Sequence, residues 1–395
     1  MNIFVEVRRL TARLPRCVGA MGLISAIAAA SALAACAASA DETRQLCQPY
    51  EVKNNGEVVE NLEISVKGGR PGILVSGKRD VVIRNVKVFH DGGPGIVVRR
   101  SDNLLLDGAE VINVGAPEAG ALTGANAMRR VNIRVEKSDD VRIRNVVLER
   151  GASGVYVVES DRTKITSAVG RDFRGPLPRG QFVQFDKANR PTLEWFAVVN
   201  PGRTSWAEDA INSFSSVNPV IRHGYIEGIN SPTGIGVQIE NDEGGYGGFI
   251  ENIDVRYWVN GAFMAADGAS NVTFRDVRAC DGLTLAKNAS NIGAIGADGA
   301  PIPSLEEWAG ENFRGLPRSG QQAFYTYKLN AATVRYEQAR YFNLPIAGRV
   351  AWGRQFMSEA DFDVAAQCDT DPRLSGLVAL AKRETPPSPP TCEND

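Results

Sequence analysis

Short runs of β-branched and other apolar residues recur along the chain, separated by turns rich in Gly, Ser, Asn and Asp. An apolar run at 72–75 is followed by a polar turn at 76–80 and a second run at 81–88, and the same order returns at 95–111. Gly72 and Gly95 are 23 positions apart. A unit of this length holds two or three short strands and leaves no room for a crossover helix. The pattern therefore predicts stacked turns of a parallel β-solenoid.

The repeat continues at 133–146 and 154–157 and, in weaker copies, at 210–211, 234–237 and 261–262. It predicts an all-β domain of roughly nine or ten coils between residues 57 and 280. Aliphatic side chains are expected to fill the interior. One Asn or Asp in each coil is expected at a turn that needs a left-handed or self-bonded backbone, and the residues in this class are Asn85, Asp107, Asn145, Asn252 and Asp276.

A family resemblance rests on this repeat. The patterns Gly-Ile-x-Val at 95–98, Ser-Asp-x at 101–103 and Val-x-Ile-Arg-Asn-Val at 141–146 resemble the pectin-lyase-like superfamily of right-handed parallel β-helices. That superfamily includes pectate lyases, polygalacturonases, alginate lyases, mannuronan epimerases and phage tailspikes. The resemblance covers about 220 residues. It implies a right-handed β-helix that acts on a carbohydrate polymer, but it does not select one reaction.

The first 40 residues predict a signal peptide. Four arginines precede an uncharged, Ala-rich segment at 18–35, and Ala38-Ser39-Ala40 fits a signal peptidase site. The segment Leu33-Ala34-Ala35-Cys36 also resembles a bacterial lipobox, in which Cys36 would carry a lipid anchor. Either alternative predicts an exported protein that is periplasmic, an outer-membrane lipoprotein or secreted. Membrane contact is expected only through the anchor at Cys36.

Composition narrows the function classes. The 395 residues include 44 Lys and Arg, 46 Asp and Glu and only 2 His, which gives a formal net charge of −2. The absence of a basic cluster argues against nucleic acid as a partner, and two distant histidines argue against a His-rich metal site. Four cysteines remain after the leader, and in an exported protein they predict two disulfides with the pairing left open: Cys47, Cys280, Cys368 and Cys392.

The segments around the repeat have less regular patterns. Residues 41–56 are interpreted as an N-terminal extension or cap, 281–384 as a mixed C-terminal cap region and 385–395 as a disordered, Pro-rich tail. A cap is expected because the open end of a β-helix exposes strand edges. A short helix is expected within 361–382. The chain is expected to be a monomer.

Candidate chemistry lies where outward-facing positions become polar. In the strand at 181–187, alternation places Gln184 and Asp186 on the outer wall. Glu208 and Asp209 precede the next strand, in which Asn212 points outward. Because Asp186 and Asp209 are 23 residues apart, one repeat, their carboxylates are predicted to lie side by side on adjacent coils.

This arrangement favours an inverting glycoside hydrolase of an acidic polysaccharide. Inverting enzymes hold two carboxyl groups about 6.5–9.5 Å apart, and adjacent coils are about 4.8 Å apart. Polygalacturonases resemble the chain in placing an Asp on one coil and an acidic pair on the next, although Gly234-Ile235-Gly236 lacks their His. The predicted catalytic residues are Asp186 or Asp209 as general acid, Glu208 as base, and Lys187. The predicted substrate-binding residues are Arg179, Gln184, Arg203, Asn212, Arg222, Gln238, Glu240 and Asp242.

Two alternatives remain open. The segment Arg174–Arg179 matches the Arg-x-Pro-x-x-Arg segment of pectate lyases, which implies β-elimination or the related uronate epimerisation. Calcium would then be held by Asp186, Glu208, Asp209 and Asp242, with Lys187, Arg203 or Arg222 as base, whereas the hydrolase needs no cofactor. The second alternative is a non-catalytic carbohydrate-binding surface protein, because stacked Asn, Gln and Asp side chains also form ladders that satisfy one another.

Overall fold

The computed structural model describes residues 43–116, 130–175, 179–201, 204–205, 207–229, 234–258, 261–280, 322–327, 334–342, 363–364, 368, 370–383, 387–390 and 392. Within these residues no helix has the length and apolarity needed to cross a bilayer. The predicted leader, including Cys36, lies outside the described residues, as does most of the predicted cap region.

Two parallel sheets run through the described chain, and the strands are numbered in chain order. Sheet A contains β1 (Arg44–Leu46), β3 (Val58–Lys67), β5 (Val82–Asp91), β7 (Leu105–Asn113), β9 (Arg142–Glu149), β11 (Lys164–Arg171), β13 (Thr192–Val199), β15 (Val220–Ile229), β17 (Gly248–Trp258), β19 (Val272–Cys280), β21 (Val334–Glu337), β22 (Arg340–Phe342) and β23 (Asp363–Val364). Sheet B contains β2 (Tyr50–Glu51), β4 (Ile73–Ser76), β6 (Ile96–Arg99), β8 (Ile133–Glu136), β10 (Val155–Val158), β12 (Val183–Asp186), β14 (Ile211–Phe214), β16 (Ile235–Glu240), β18 (Gly261–Ala266) and β20 (Gln322–Tyr327).

Successive strands up to β20 alternate between the two sheets, and each strand pairs in parallel with the equivalent strand of the next coil. This register confirms the predicted parallel β-helix. Between residues 57 and 280 the chain makes about eight coils rather than nine or ten. The coils are longer than the repeat suggested, because Ile96 pairs with Ile133 and Val183 pairs with Ile211.

The extra length lies on one side of the solenoid. The turns from sheet B to sheet A have the same short form in nearly every coil, as between β12 and β13 or between β14 and β15. The returns from sheet A to sheet B vary widely, from the short link between β5 and β6 to the long one between β7 and β8. The variable loops therefore gather at the edge where the strands of sheet B begin, and they bring Arg130, Arg179 and Asp209 to that edge.

The interior is a continuous stack of aliphatic and Phe side chains. In sheet B the inward positions of β12 are Val183 and Phe185, and both are fully buried. Burial of each such side chain stabilises the fold by about 1.5–3 kcal/mol relative to exposure. One inward position is polar, since Ser213 lies in register between Phe185 and Ile239.

The predicted turn residues bend the long strands of sheet A. Asn85, Asn145, Asn252 and Asp276 have φ values of 51°, 54°, 51° and 48°, as expected for a left-handed bend. Asp107 does not occupy this position. Gly108 takes the bend with φ of 71°, and Asp107 accepts hydrogen bonds from Arg144 and Asn145 of the next coil instead.

The C-terminal segment runs along the outer face of sheet A. Helix α1 (Ser375–Ala381) follows a short 3₁₀ turn, Pro372–Leu374. The expected short helix is therefore present, but it packs against the side of the solenoid instead of covering its end. Its apolar contacts are with outward side chains of β11, β13 and β15: Val169, Ala197 and Tyr225.

Polar contacts and a disulfide extend this segment toward the first coil. Lys382 pairs with Glu227 at 2.8 Å, and Arg383 bridges Glu110 and Glu149 at 2.7 and 2.8 Å. Cys392 then forms a disulfide with Cys47. We call residues 371–383 with Cys392 the C-terminal strap. The end of the predicted disordered tail is thus covalently anchored, and the second disulfide joins Cys280 to Cys368.

We expect Cys392→Ser to lower the free energy of unfolding by about 2–5 kcal/mol, because the Cys47–Cys392 disulfide closes a very long loop in the unfolded chain. Thermal and denaturant unfolding measure the effect. Reductant should destabilise the parent more than the variant, which retains only Cys280–Cys368. Equal stability of parent and variant without reductant would contradict the strap as a stabilising element.

Candidate functional site

The outer face of sheet B carries two columns of side chains in register from coil to coil. The first column, from the N-terminal coils onward, is Leu74, Val97, Arg134, Tyr156, Gln184, Asn212, Gln238 and Met264. The second is Ser76, Arg99, Glu136, Val158, Asp186, Phe214, Glu240 and Ala266. Most of the polar positions lie between β8 and β16, so these coils are the candidate site.

Two carboxyl groups meet on β14 and β16. Asn212 donates from its Nδ2 atom to Asp209 Oδ2 at 3.0 Å and to Glu240 Oε2 at 2.8 Å. Because the two amide hydrogens diverge, these two oxygens are about 5–6 Å apart. We call Asp209 and Glu240 the carboxylate pair. Asp209 reaches this place from the variable loop before β14, and Glu240 ends β16.

The environment of the pair favours protonation. Burial raises the pKa of the Asp209 carboxyl well above its ordinary value, and the neighbouring carboxylates of Glu208 and Glu240 raise it further. Hydrogen bonds from the Ile235 backbone N–H, at 2.8 Å, and from Asn212 act in the opposite direction. Burial also raises the pKa of Glu240. Two close carboxyls with raised pKa values can hold a proton that a solvated pair would lose.

The amide of Asn212 has one unused acceptor. Asn212 is 5% exposed, and its Oδ1 atom is buried without a hydrogen-bond partner. Buried amide oxygens in native proteins nearly always accept a hydrogen bond. An acceptor left unused beside two carboxyl groups is therefore suited to a donor from outside the chain, such as a hydroxyl group.

A second polar group lies on the neighbouring coils β10 and β12. Tyr156 Oη donates to Asp186 Oδ2 at 2.8 Å, and the guanidinium of Arg179 lies 4.1 Å from the centre of the Tyr156 ring. Arg179 also donates to Gln184 Oε1 at 2.5 Å. We call these four residues the tyrosine cluster. It places a cation, an aromatic ring and an amide on the surface beside the carboxylate pair.

The predicted contact between Asp186 and Asp209 does not occur. The coil from β12 to β14 is 28 residues long, so Asp186 is in register with Phe214. Asp209 precedes Phe214 by five residues and therefore lies at the opposite end of the strands, about 16 Å from Asp186 along the strand direction. Glu240, predicted only as a substrate contact, is the carboxylate that meets Asp209.

The other predicted residues are distributed as follows. Gln184, Asn212 and Gln238 share one outward column, and Glu208 adjoins the carboxylate pair. Lys187 lies in the turn after β12 and pairs with Glu243 at 2.5 Å. Two predicted contacts do not join the site. Arg222 lies on sheet A, where it binds Glu194, and Asp242 is exposed in the turn after β16. Arg203 lies outside the described residues.

The four predicted calcium ligands are not brought together. Asp186 belongs to the tyrosine cluster, whereas Asp242 is exposed at the far end of β16 from Asp209. Among the described side chains, no three or more of His, Cys, Asp and Glu form a group that could hold a metal ion. These residues do not fit a calcium site as predicted.

Sequence reasoning missed Tyr156, which it assigned to an apolar outward column. Its hydroxyl is bonded to Asp186, and its ring carries Arg179. The available signal was its register with Gln184, one coil further along.

Comparisons with known proteins concern the fold alone. No protein-family model matches the chain, and no curated protein matches it. Among solved structures, the chain is similar to the tailspike protein gp49 from Pseudomonas phage LKA1, with 8% identity, a TM-score of 0.39 and coverage of 78% of this chain and 47% of that one. The chain thus spans about half the length of that tailspike.

Two further solved structures are aligned over most of their length. The endo-xylogalacturonan hydrolase from Aspergillus tubingensis has 12% identity, a TM-score of 0.35 and coverage of 82% of this chain and 94% of that chain. The mannuronan C-5 epimerase AlgE4 A-module from Azotobacter vinelandii has 9% identity, a TM-score of 0.40 and the same two coverages. The chain has the parallel β-helix that the resemblance to the pectin-lyase-like superfamily implies.

Proposed function

We propose that the protein is an exported enzyme that hydrolyses an acidic polysaccharide on the outer face of sheet B, with Asp209 and Glu240 as its catalytic carboxyl groups. The observation that carries this proposal is the shared hydrogen bonding of the two carboxyls to Asn212 from adjacent coils. Glycoside hydrolysis needs one carboxylic acid and one carboxylate beside the scissile bond. The raised pKa values of both groups support this division of roles.

The more buried Asp209 is assigned as the general acid and Glu240 as the nucleophile. Asp209 transfers its proton to the glycosidic oxygen as the bond from that oxygen to the anomeric carbon breaks, and Glu240 forms an ester with that carbon. Asp209 then takes a proton from the water that hydrolyses the ester. The separation of about 5–6 Å fits the retaining geometry of about 5–5.5 Å better than the inverting one. With this pair we propose retention in place of the inversion expected from sequence.

The residues around the pair supply binding. Asn212 positions both carboxyls through Nδ2 and offers Oδ1 to a sugar hydroxyl. The tyrosine cluster begins one coil away, about 4.8 Å along the solenoid. Arg179 there suits the carboxylate of a uronic acid, and the Tyr156 ring offers an apolar surface to a sugar.

One observation favours β-elimination as a second candidate. Arg179 and the Tyr156 hydroxyl are adjacent, so the arginine could neutralise a uronate while the tyrosine removed a proton. However, burial raises the pKa of Tyr156, and a raised pKa opposes the formation of a tyrosinate base. Hydrolysis is therefore the preferred reaction, and elimination and epimerisation are tested beside it.

A panel of polygalacturonate, alginate and neutral polysaccharides tests the proposal. Hydrolysis produces new reducing ends without ultraviolet absorbance, whereas elimination also produces unsaturated uronates that absorb. We expect reducing ends alone, from an acidic polymer, in the presence of EDTA. Unsaturated products would support the elimination candidate, and loss of activity in EDTA would support a calcium-dependent reaction. Tight binding with no cleavage of any polymer would support the non-catalytic alternative.

We expect a bell-shaped pH dependence of kcat/KM. Activity falls at low pH as Glu240 becomes protonated and falls at high pH as Asp209 loses its proton. Because both pKa values are raised, both limbs should lie above the ordinary range of carboxyl groups. Initial rates across pH in constant ionic strength measure this. A profile that stays flat from acidic to alkaline pH would contradict these roles.

We expect Gly234→Ala to lower kcat/KM by about 10²-fold, because small displacements of catalytic groups have effects of this size. A Cβ atom at Gly234 would lie 1.8 Å from the backbone oxygen of Glu208, so the segment that holds Asp209 must move. Gly376→Ala is the matched control. Nothing lies within 4 Å of its added Cβ atom, so activity should be unchanged and helix α1 slightly stabilised. Equal activity of the two variants would contradict the placement of Asp209.

A further inference from the structure

We propose that the N-terminal coils of sheet B form a separate subsite for a carboxylated sugar of the same polysaccharide chain. This inference rests on the proposed function, because it places a remote part of the substrate. The subsite is a groove, here called the basic groove, that lies over β4, β6 and β8 and continues the outward columns that lead to the carboxylate pair.

The groove has the size and lining of a sugar site. Its volume is about 700 Å³, within the range of small-molecule sites. Leu74 and Val97 form an apolar floor on which the C–H face of a sugar ring can lie. Two stacked glycine turns, 68–69 and 92–93, line the groove. A Cβ atom at Gly93 would lie 2.6 Å from the backbone oxygen of Arg70, so this close stacking requires glycine.

The charges of the groove are mainly positive. Arg99, Arg130 and Arg134 line it, against the single carboxylate of Glu136, and a smaller adjoining pocket adds Arg100 and Lys137. Several of these cations already have anionic partners. Arg134 lies 3.3 Å from Glu136, Arg130 lies 3.5 Å from Asp91, and Lys137 lies 3.3 Å from Glu159.

Arg99 and Arg100 remain uncompensated. Arg99 donates from Nε to Ser76 Oγ at 3.0 Å, and within the described part of the chain neither arginine forms an ion pair. Two adjacent guanidinium groups without carboxylates are suited to an anion that accepts paired N–H donors. Among sugars, uronates carry such an anion.

The register connects this subsite to the carboxylate pair. Arg99 and Glu240 lie in the same column, five strands apart, which is about 24 Å along the solenoid. Arg134 and Asn212 lie in the other column, three strands apart, about 14 Å. The acidic groups around Asp209 repel a polyanion, and cations at this distance attract another part of the same chain. The basic groove therefore favours long acidic polymers over short fragments.

The test compares Arg99→Ala/Arg100→Ala with Arg79→Ala/Arg190→Ala. The control removes two exposed arginines from turns outside the groove and changes the net charge equally. Calorimetry with polygalacturonate, in a Glu240→Gln background that prevents turnover, should show at least about tenfold weaker binding for the groove variant alone. Its affinity should also depend less steeply on salt, because two cation contacts are removed.

Each outcome decides the inference. Equal loss in both double variants, or in neither, overturns the basic groove as a specific subsite. Equal binding of neutral dextran overturns the requirement for an anion, and tighter binding of dextran sulfate than of polygalacturonate overturns the assignment to carboxylates. Failure of the proposed function appears differently: groove-dependent binding of polygalacturonate would persist, but the enzyme with Glu240 intact would cleave nothing.

Discussion

Asp209→Asn and Glu240→Gln are each expected to lower kcat/KM for polysaccharide hydrolysis by about 10²–10⁴-fold, the usual contribution of a positioned acid or base. Both substitutions keep the size of the side chain and its contact with Asn212 but remove the titrating group. Initial rates of reducing-end formation measure the loss. Because the two groups act as a unit, the double variant should be little worse than either single variant.

Asp186→Asn is the matched control for this pair. Asp186 lies on the same face of sheet B, but it binds Tyr156 and is far from Asp209 along the strands. We expect this variant to raise KM and to keep most of kcat. Unfolding of Asp209→Asn at alkaline pH provides a second control. The raised pKa means that the folded state favours the protonated acid and loses stability as pH rises. A neutral amide should therefore not destabilise the fold there.

The largest loss of stability is expected from Arg278→Ala, about 3–5 kcal/mol, because it removes one partner of a buried ion pair. Arg278 is 4% exposed and binds Asp254, which is fully buried. It also donates to Asn252 Oδ1 at 2.9 Å and contacts Asp276. Without Arg278 the Asp254 carboxylate has no charged partner of comparable burial. Denaturant unfolding measures the change.

Arg275→Ala provides the comparison on the same strand. Arg275 is partly exposed and pairs with Glu337 at 2.8 Å, and exposed pairs contribute about 0–1 kcal/mol. If Arg278→Ala and Arg275→Ala cost equal stability, the buried network does not hold the last coils together. Replacing Asp254 and Arg278 together by apolar residues of similar volume should restore much of the loss, because no unpaired charge remains.

The fold was largely predictable from sequence because it is periodic. Alternation of inward and outward residues depends only on strand geometry, so the outward positions of Leu74, Gln184 and Asp186 follow from the local pattern. The left-handed bends at Asn85 and Asn145 follow from the turn preferences of asparagine in the same way.

The candidate site was harder to predict because it depends on loop length. The sequence spacing of 23 residues between Asp186 and Asp209 equals one early coil, but the coil that contains them has 28 residues. The extra residues lie in the return from sheet A to sheet B, where no repeat constrains their number. A displacement of five positions moves Asp209 away from Asp186, and only the register of β14 with β16 shows that Asn212 links it to Glu240.

The path of the C-terminal strap depends on contacts that no local pattern records. A short helix is predictable from its composition, whereas its packing on Val169, Ala197 and Tyr225 joins residues about 150–210 positions apart. The pairing of Cys47 with Cys392 likewise spans 345 positions. Four cysteines allow three pairings, and their spacing does not choose among them.

A crystal structure of Glu240→Gln with a bound oligogalacturonate tests the account most directly. The account predicts a sugar chain along the outer face of sheet B, with a glycosidic oxygen within about 3 Å of the Asp209 carboxyl and a hydroxyl donating to Asn212 Oδ1. An oligosaccharide bound along sheet A, or on sheet B with no glycosidic bond near Asp209, would contradict the assignment of the carboxylate pair.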